Sequence, residues 1–136
     1  MKLNFQSVAI LVALVCFALA SVSMFAPALL LSSWGVEYSS SAGLVSRRMA
    51  ALFAGIAVMF FTARKAEPSP SRSALTMDFA VACLILAALG LFEFASGHAS
   101  ADILAAVFID VALALVLLSL LYTAHIKKQQ PRKLRS

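Results

Sequence analysis

Four ionisable side chains in otherwise apolar sequence are the residues of this chain that could do chemistry. Arg47, Arg48, Glu93 and Asp110 lie beside or within long apolar stretches. A charge at the centre of a bilayer costs about 2.5 to 3.5 kcal/mol on insertion scales, so such residues are expected to face other helices or an aqueous cavity. Two guanidinium groups and two carboxylates could bind an anionic headgroup or small solute, pass a proton, or pair simply to hold helices in register.

The composition places these residues in a membrane. The chain has 136 residues, of which 62% are hydrophobic and 12% are charged, and this excludes an ordinary soluble domain. Backbone polar groups in hydrocarbon must be satisfied within each segment, and the apolar runs lack the alternation of a strand. The sequence therefore predicts membrane-spanning helices.

The apolar runs predict an all-α integral membrane protein with four transmembrane helices in an antiparallel up-down bundle. The predicted spans are residues 5–31, 44–64, 76–95 and 102–125. They form a single domain, residues 1–126, followed by a basic cytoplasmic tail, residues 127–136.

The second span is short of uncharged residues. Its charge-free part, residues 49–63, covers about 22 Å, whereas the hydrocarbon core is about 30 Å thick. The helix must therefore begin near Ser41 or Leu44, which places Arg47 and Arg48 inside it.

The distribution of basic residues predicts the orientation of the bundle. With a cytoplasmic amino terminus, nine lysines and arginines fall on the cytoplasmic side and two on the outer side. The nine are Lys2, Arg64, Lys65, Arg72, Lys127, Lys128, Arg132, Lys133 and Arg135. Both termini are therefore predicted to be cytoplasmic.

The amino terminus has an alternative interpretation as a cleavable signal peptide. Lys2, the apolar residues 8–17 and the small-residue pattern Ala18-Leu19-Ala20 resemble one. Against cleavage, the apolar character continues to Leu31, beyond a normal signal core. A retained first helix is favoured, with Pro27 as a kink near its outer end.

Small residues predict how the charges are brought together. Asp110 has alanines four residues before and after it, so it should face another helix closely. Arg48 shares a face with Ala51 and Gly55, and Arg47 shares one with Ala50, Ala51 and Ala54. Helical phase leaves open whether Arg47 or Arg48 faces the bundle. The second span is therefore predicted to pack on the fourth, with an arginine near both carboxylates.

Other polar residues do not extend this site. Cys16 and Cys83 lie in apolar runs without a C-x-x-C motif, which indicates buried filler. His98 and His125 are predicted on opposite faces of the membrane, so they cannot share a metal or haem. No cofactor, metal site or catalytic residue is predicted, and nucleic-acid binding is not expected.

A short series of residues resembles a known group of proteins. The residues are Trp34-Gly35, Arg47-Arg48, Gly55, Ala63-Arg64, Gly90-Leu91-Phe92-Glu93 and Gly97. Their arrangement resembles the small four-helix membrane proteins of the DUF4345 and DoxX-like groups. The resemblance implies the architecture and a bacterial inner membrane, and it implies no activity. Small multidrug exporters differ, because they carry a glutamate in the first helix where this chain has none.

The function itself stays unassigned at this level. The sequence favours a non-enzymatic membrane component, surrounded by lipid, that packs against itself or against a membrane-protein partner. The alternative is a small-solute or proton-coupled transporter using Arg48, Glu93 and Asp110. An enzyme acting on a lipid headgroup is not favoured, since no nucleophile and base can be paired.

Overall fold

The fold is all-helical. The computed structural model describes residues 4–133, with side chains described through Ile126. Within them lie α1 (Phe5–Phe25), α2 (Pro27–Ser33), α3 (Ser40–Ala63), α4 (Pro70–Ala95) and α5 (Ile103–Lys133). Four of these helices are long and apolar enough to cross a membrane, the span of α5 being Ile103–Ile126. The predicted four-span integral membrane fold is confirmed.

The four long helices pack as two antiparallel pairs. We call α1 with α3 the first pair and α4 with α5 the second pair; a smaller contact between α1 and α5 joins them. The terminal end of the bundle carries the start of α1, the α3–α4 connection and the end of α5. The distal end carries α2 and the α4–α5 turn.

Small residues form the interface of the first pair. The buried residues of α1 include Ala9, Ala13, Cys16, Ala20 and Ser23, and those of α3 are Gly43, Ser46, Ala50, Ala57 and Phe60. Small side chains let two backbones approach closely, which is how helices associate in lipid. The Ser46 hydroxyl crosses the interface and donates to the Ser23 carbonyl oxygen at 3.4 Å.

The second pair has a more regular interface. The buried residues of α4 follow spacings of four and three, which keeps one seam facing a partner helix: Thr76, Ala80, Cys83, Ala87 and Gly90. Gly90 lies against Val107 so closely that an added Cβ would lie 2.6 Å from its Cγ2 atom. A glycine at this position therefore permits a close approach of α4 and α5.

A contact at the distal end ties the two pairs together. The Ser100 backbone N–H donates to the Trp34 carbonyl oxygen at 2.9 Å, and its hydroxyl donates to the Ser33 carbonyl oxygen at 2.8 Å. Gly35 has φ +78°, and a Cβ there would lie 2.9 Å from the Ser100 nitrogen. We call this contact the distal clasp.

Two prolines set helix boundaries that differ from the predicted ones. The predicted kink at Pro27 is a break, because Ala26 leaves helical geometry (φ −135°, ψ 53°) and Pro27 starts α2. α4 begins at Pro70, earlier than the predicted residue 76, since proline suits the first helical position and the Ser69 hydroxyl accepts the Arg72 N–H. The α3 start at Ser40 agrees with the predicted need for a longer second span.

The predicted packing of the second span on the fourth is wrong. α3 packs mainly on α1, and α5 packs mainly on α4. The physical reason is that α3 carries two stripes of small residues on different faces. Ala50 and Ala57 lie in the buried stripe, whereas Ala51 and Gly55 are exposed.

Two predicted segments extend beyond the described residues. Lys2, which entered the orientation prediction, lies outside the described residues. For the predicted tail, residues 127–136, the backbone continues α5 through Lys133, and its side chains lie outside the described residues.

Candidate functional site

Asp110 lies on the inward face of α5, as predicted from its small neighbours. It is half-buried and shares that face with Val107, Ala114 and Leu117, all of which are buried. Its position is about 10 Å along the helix from the distal start at Ile103. Asp110 therefore lies within the span of α5 rather than at its distal end.

Two cysteines from other helices are neighbours of Asp110. Cys16 of α1 and Cys83 of α4 lie near Asp110 and near one another. Both thiols are free and buried, at 2% and 1% exposure. Asp110 makes no ion pair within residues 4–126. We call these three residues the carboxylate–thiol cluster.

Sequence reasoning missed the carboxylate–thiol cluster because it considered each cysteine separately. Cys83 falls in the regular buried stripe of α4, and Cys16 falls four residues after Val12 in the buried stripe of α1. That spacing was the available signal that both thiols face inward. No group of three or more metal-ligating side chains that could hold a metal ion is present in the described part of the chain.

The two predicted arginines lie away from this cluster. Arg47 and Arg48 are both exposed on α3. At 100° per residue, Arg47 lies about 60° from buried Ala50, whereas Arg48 lies on nearly the opposite side of the helix. Neither forms an ion pair with Asp110 or Glu93 among the described side chains. Their shared role as a polar site stays a prediction.

Glu93 has a different partner from the one predicted. Its Oε2 atom lies 3.1 Å from Nδ1 of His98, with side-chain exposures of 40% and 70%. The His98 backbone N–H also donates to the Glu93 carbonyl oxygen at 3.0 Å. Gly97, with φ +72°, turns the chain between them. Because this pair is exposed at the distal end, it is a local contact of the turn.

A cavity of about 360 Å³ opens at the terminal end, where α1, α4 and α5 meet the α3–α4 connection. Arg72 lines it, with its guanidinium carbon 4.4 Å from the centroid of the Phe5 ring. The Nη1 atom of Arg72 donates to the Ala66 carbonyl oxygen at 2.9 Å. Sequence reasoning counted Arg72 only as one of the charges that set orientation, so this cavity was missed.

Comparison with known proteins adds no assignment to this geometry. No protein-family model matches the chain. No curated protein and no solved structure is significantly similar to it. The function is therefore inferred from the arrangement of the helices and their polar side chains.

Proposed function

We propose that the protein is a non-enzymatic membrane component that self-associates through an exposed face of α3. This small-residue face consists of Arg48, Ala51 and Gly55. The observation that supports it is the open space at Gly55, where an added Cβ would have no neighbour within 4 Å. The chain's own helices do not use this face, because the buried stripe of α3 lies on the other side.

The small-residue face has the features of a helix–helix contact in lipid. Ala51 and Gly55 are four residues apart, the spacing that lets two membrane helices approach closely. Leu44, Leu52 and Val58, which are also exposed on α3, project to the same side of the helix and border Ala51 and Gly55. Arg48 lies at the distal limit of the face, from which its long side chain can reach the headgroup layer. A second copy can therefore pack on Ala51 and Gly55 without burying the guanidinium.

Energy transfer between labelled copies tests self-association. Copies carrying donor and acceptor fluorescent proteins at the carboxyl terminus are reconstituted together in liposomes at decreasing protein-to-lipid ratios. We expect transfer above the level of random proximity for the original protein. Gly55→Leu should weaken it about tenfold in apparent affinity, because the leucine holds the two helices apart.

The matched control is Ala88→Leu, which enlarges an exposed small residue on α4. It should leave the energy transfer unchanged. Transfer at the random level in the original protein, or an equal loss in both variants, would contradict the proposed face.

The proposal includes the location. We place the protein in a bacterial inner membrane with both termini in the cytoplasm, supported by the excess of basic residues at the terminal end and by the resemblance to the DUF4345 and DoxX-like groups. Reporter fusions after residue 67 and after residue 99 should report cytoplasmic and outer positions, respectively. The opposite pattern would reverse the assigned orientation.

A second candidate function is proton-coupled transport through Asp110. The observation that favours it is a half-buried carboxylate inside the bundle that has no ion pair within residues 4–126. Intramembrane carboxylates of this kind are typical of proton relays. Arg48 and Glu93, which the sequence placed in the same pathway, are not required in this version.

Proton flux into liposomes tests the second candidate. A pH gradient across proteoliposomes should decay faster with the original protein than with Asp110→Asn. Asp102→Asn, an exposed carboxylate before α5, is the control and should behave like the original protein. Equal decay for the original protein, Asp110→Asn and protein-free liposomes would remove transport from consideration.

A further inference from the structure

The geometry points to a binding site for the headgroup of an anionic phospholipid in the cavity at the terminal end. The cavity has about 360 Å³, which is within the size range of small-molecule sites. It lies where the spans begin and end, at the level of Phe5 in α1 and Thr123 in α5. A lipid phosphate in the bilayer is found at this depth.

Arg72 is the residue that would hold the phosphate. Stacking on Phe5 fixes the plane of its guanidinium, and the hydrogen bond from Nη1 to the Ala66 carbonyl oxygen fixes its rotation. A guanidinium has five N–H donors, so most of them stay available. Their planar fork matches two phosphate oxygens at once, which makes arginine a strong phosphate ligand.

The other polar groups of the cavity agree with an anion. The Thr76 and Thr123 hydroxyls donate to helix carbonyl oxygens at 2.8 Å, so they are already occupied. Asn4 uses its amide oxygen to cap α1, which leaves its amide N–H₂ group as a donor. Ser73 also lines the cavity. The described lining includes Arg72 and no carboxylate, so its charge is positive.

The apolar part of the cavity favours a lipid over a free phosphate. Phe5, Leu120 and Leu121 line it together with Arg72. A phospholipid likewise has a charged part beside an apolar part, since its phosphate is joined through glycerol to acyl chains. The phosphate is placed at Arg72 and the first part of the acyl chain along the leucines. This site is independent of the self-association through α3.

Lipid binding to the purified full chain tests the site. The protein in detergent is titrated with short-chain phosphatidylglycerol, and bound lipid is counted by native mass spectrometry. Arg72→Gln should weaken binding about tenfold, the effect expected for one charge-assisted hydrogen-bonding group. Ser73→Leu, which narrows the cavity without changing its charge, should also weaken it.

Arg64→Gln is the matched control, because Arg64 also lies over a phenylalanine ring, at 3.7 Å from the Phe61 centroid, but does not line the cavity. It should keep the original affinity. Equal weakening in Arg64→Gln and Arg72→Gln would show nonspecific charge attraction and overturn the site, as would unchanged binding in Arg72→Gln with its helix content intact.

Soluble glycerol phosphate is the second arm of the same titration. It should fail to displace the lipid at equal concentration, because it lacks the acyl chain. Displacement as effective as that by phosphatidylglycerol would overturn the assignment to a lipid and make the occupant a free phosphate compound.

Discussion

The two helix pairs use small residues in the same way but place different chemistry between their helices. The interface of the first pair is uncharged, and one serine hydroxyl crosses it, from Ser46 to Ser23. The second pair has the more regular stripe, with Gly90 against Val107, and α5 adds Asp110 to its inward face. The pairs therefore share a packing principle and differ in what they bury.

This difference suggests a division of roles. Because lipid is as apolar as leucine, close packing of small residues rather than hydrophobic burial holds each pair together. In the first pair the buried small residues serve to pack α1 against α3, and a second small-residue face on α3 remains exposed. The second pair contributes a carboxylate, Asp110, which is costly in a membrane and typical of function, and it lies near Cys83 of the same pair and Cys16 of the first pair.

Gly90→Leu is expected to give the largest effect on stability. Since a Cβ at this position would lie 2.6 Å from Val107, the larger side chain must force α4 and α5 apart, at about 1 to 3 kcal/mol or more of unfolding free energy. The measurement is unfolding by a denaturing detergent in mixed micelles. Gly55→Leu is the control on the first pair and should cost less than about 0.5 kcal/mol.

A partner substitution sharpens this test. Val107→Ala removes the methyl groups that meet the new side chain, so it should recover part of the loss in Gly90→Leu. Equal destabilisation at Gly55 and Gly90 would contradict the distinction between the open face and the closed interface.

Gly35→Ala is expected to come next, because it affects the distal clasp that joins the two pairs. A left-handed conformation costs a residue with a Cβ roughly 1 to 2 kcal/mol, and contact with Ser100 adds to this. Gly97→Ala is the matched control, since Gly97 also has positive φ but open space around its Cβ position. The unfolding free energy should therefore fall more for Gly35→Ala than for Gly97→Ala; the reverse order would show that the clasp carries no stability.

Ser46→Ala tests the polar contact of the first pair and should have a small effect. Hydrogen bonds between membrane helices average about 0.6 kcal/mol, so a loss of this size in unfolding free energy is expected. Ser119→Ala is the control, because its hydroxyl bonds the Val116 carbonyl oxygen of its own helix. If the two variants unfold alike, the serine contact contributes nothing to pairing.

Span number, helix type and the inward position of Asp110 could be predicted from sequence. Each depends on a strong local signal, which is a long apolar run or the spacing of small residues around one charge. The predicted helix starts were less accurate. The start of α4 was placed at residue 76 rather than at Pro70, because a proline can either begin a helix or prevent one. Local composition does not decide between those two roles.

The choice of partner helices could not be predicted, and its cause is visible in α3. Two stripes of small residues were available there, one beneath Arg48 with Ala51 and Gly55 and one beneath Arg47 that includes Ala50, and the structure buries Ala50 and Ala57 against α1 rather than α5. Neighbouring small residues such as Ala50 and Ala51 look alike in the sequence, but they point about 100° apart on the helix, so one can be buried while the other is exposed. The cavity at Arg72 was missed for a related reason, since it is formed by segments distant in sequence.

Coupling between Asp110 and its neighbours separates the predicted arrangement from the observed one. A double-mutant cycle of Arg48→Ala with Asp110→Asn should give a coupling energy within about 0.5 kcal/mol of zero, because α3 packs mainly on α1 and α5 packs mainly on α4. The cycle of Cys83→Ala with Asp110→Asn should give more than about 0.5 kcal/mol, since Cys83 lies near Asp110 on α4, the helix that packs on α5. Unfolding free energies of the single and double variants supply both values. A large Arg48 coupling with a negligible Cys83 coupling would favour the predicted charge cluster over the carboxylate–thiol cluster, and would mean that α3 approaches α5 more closely than its packing on α1 allows.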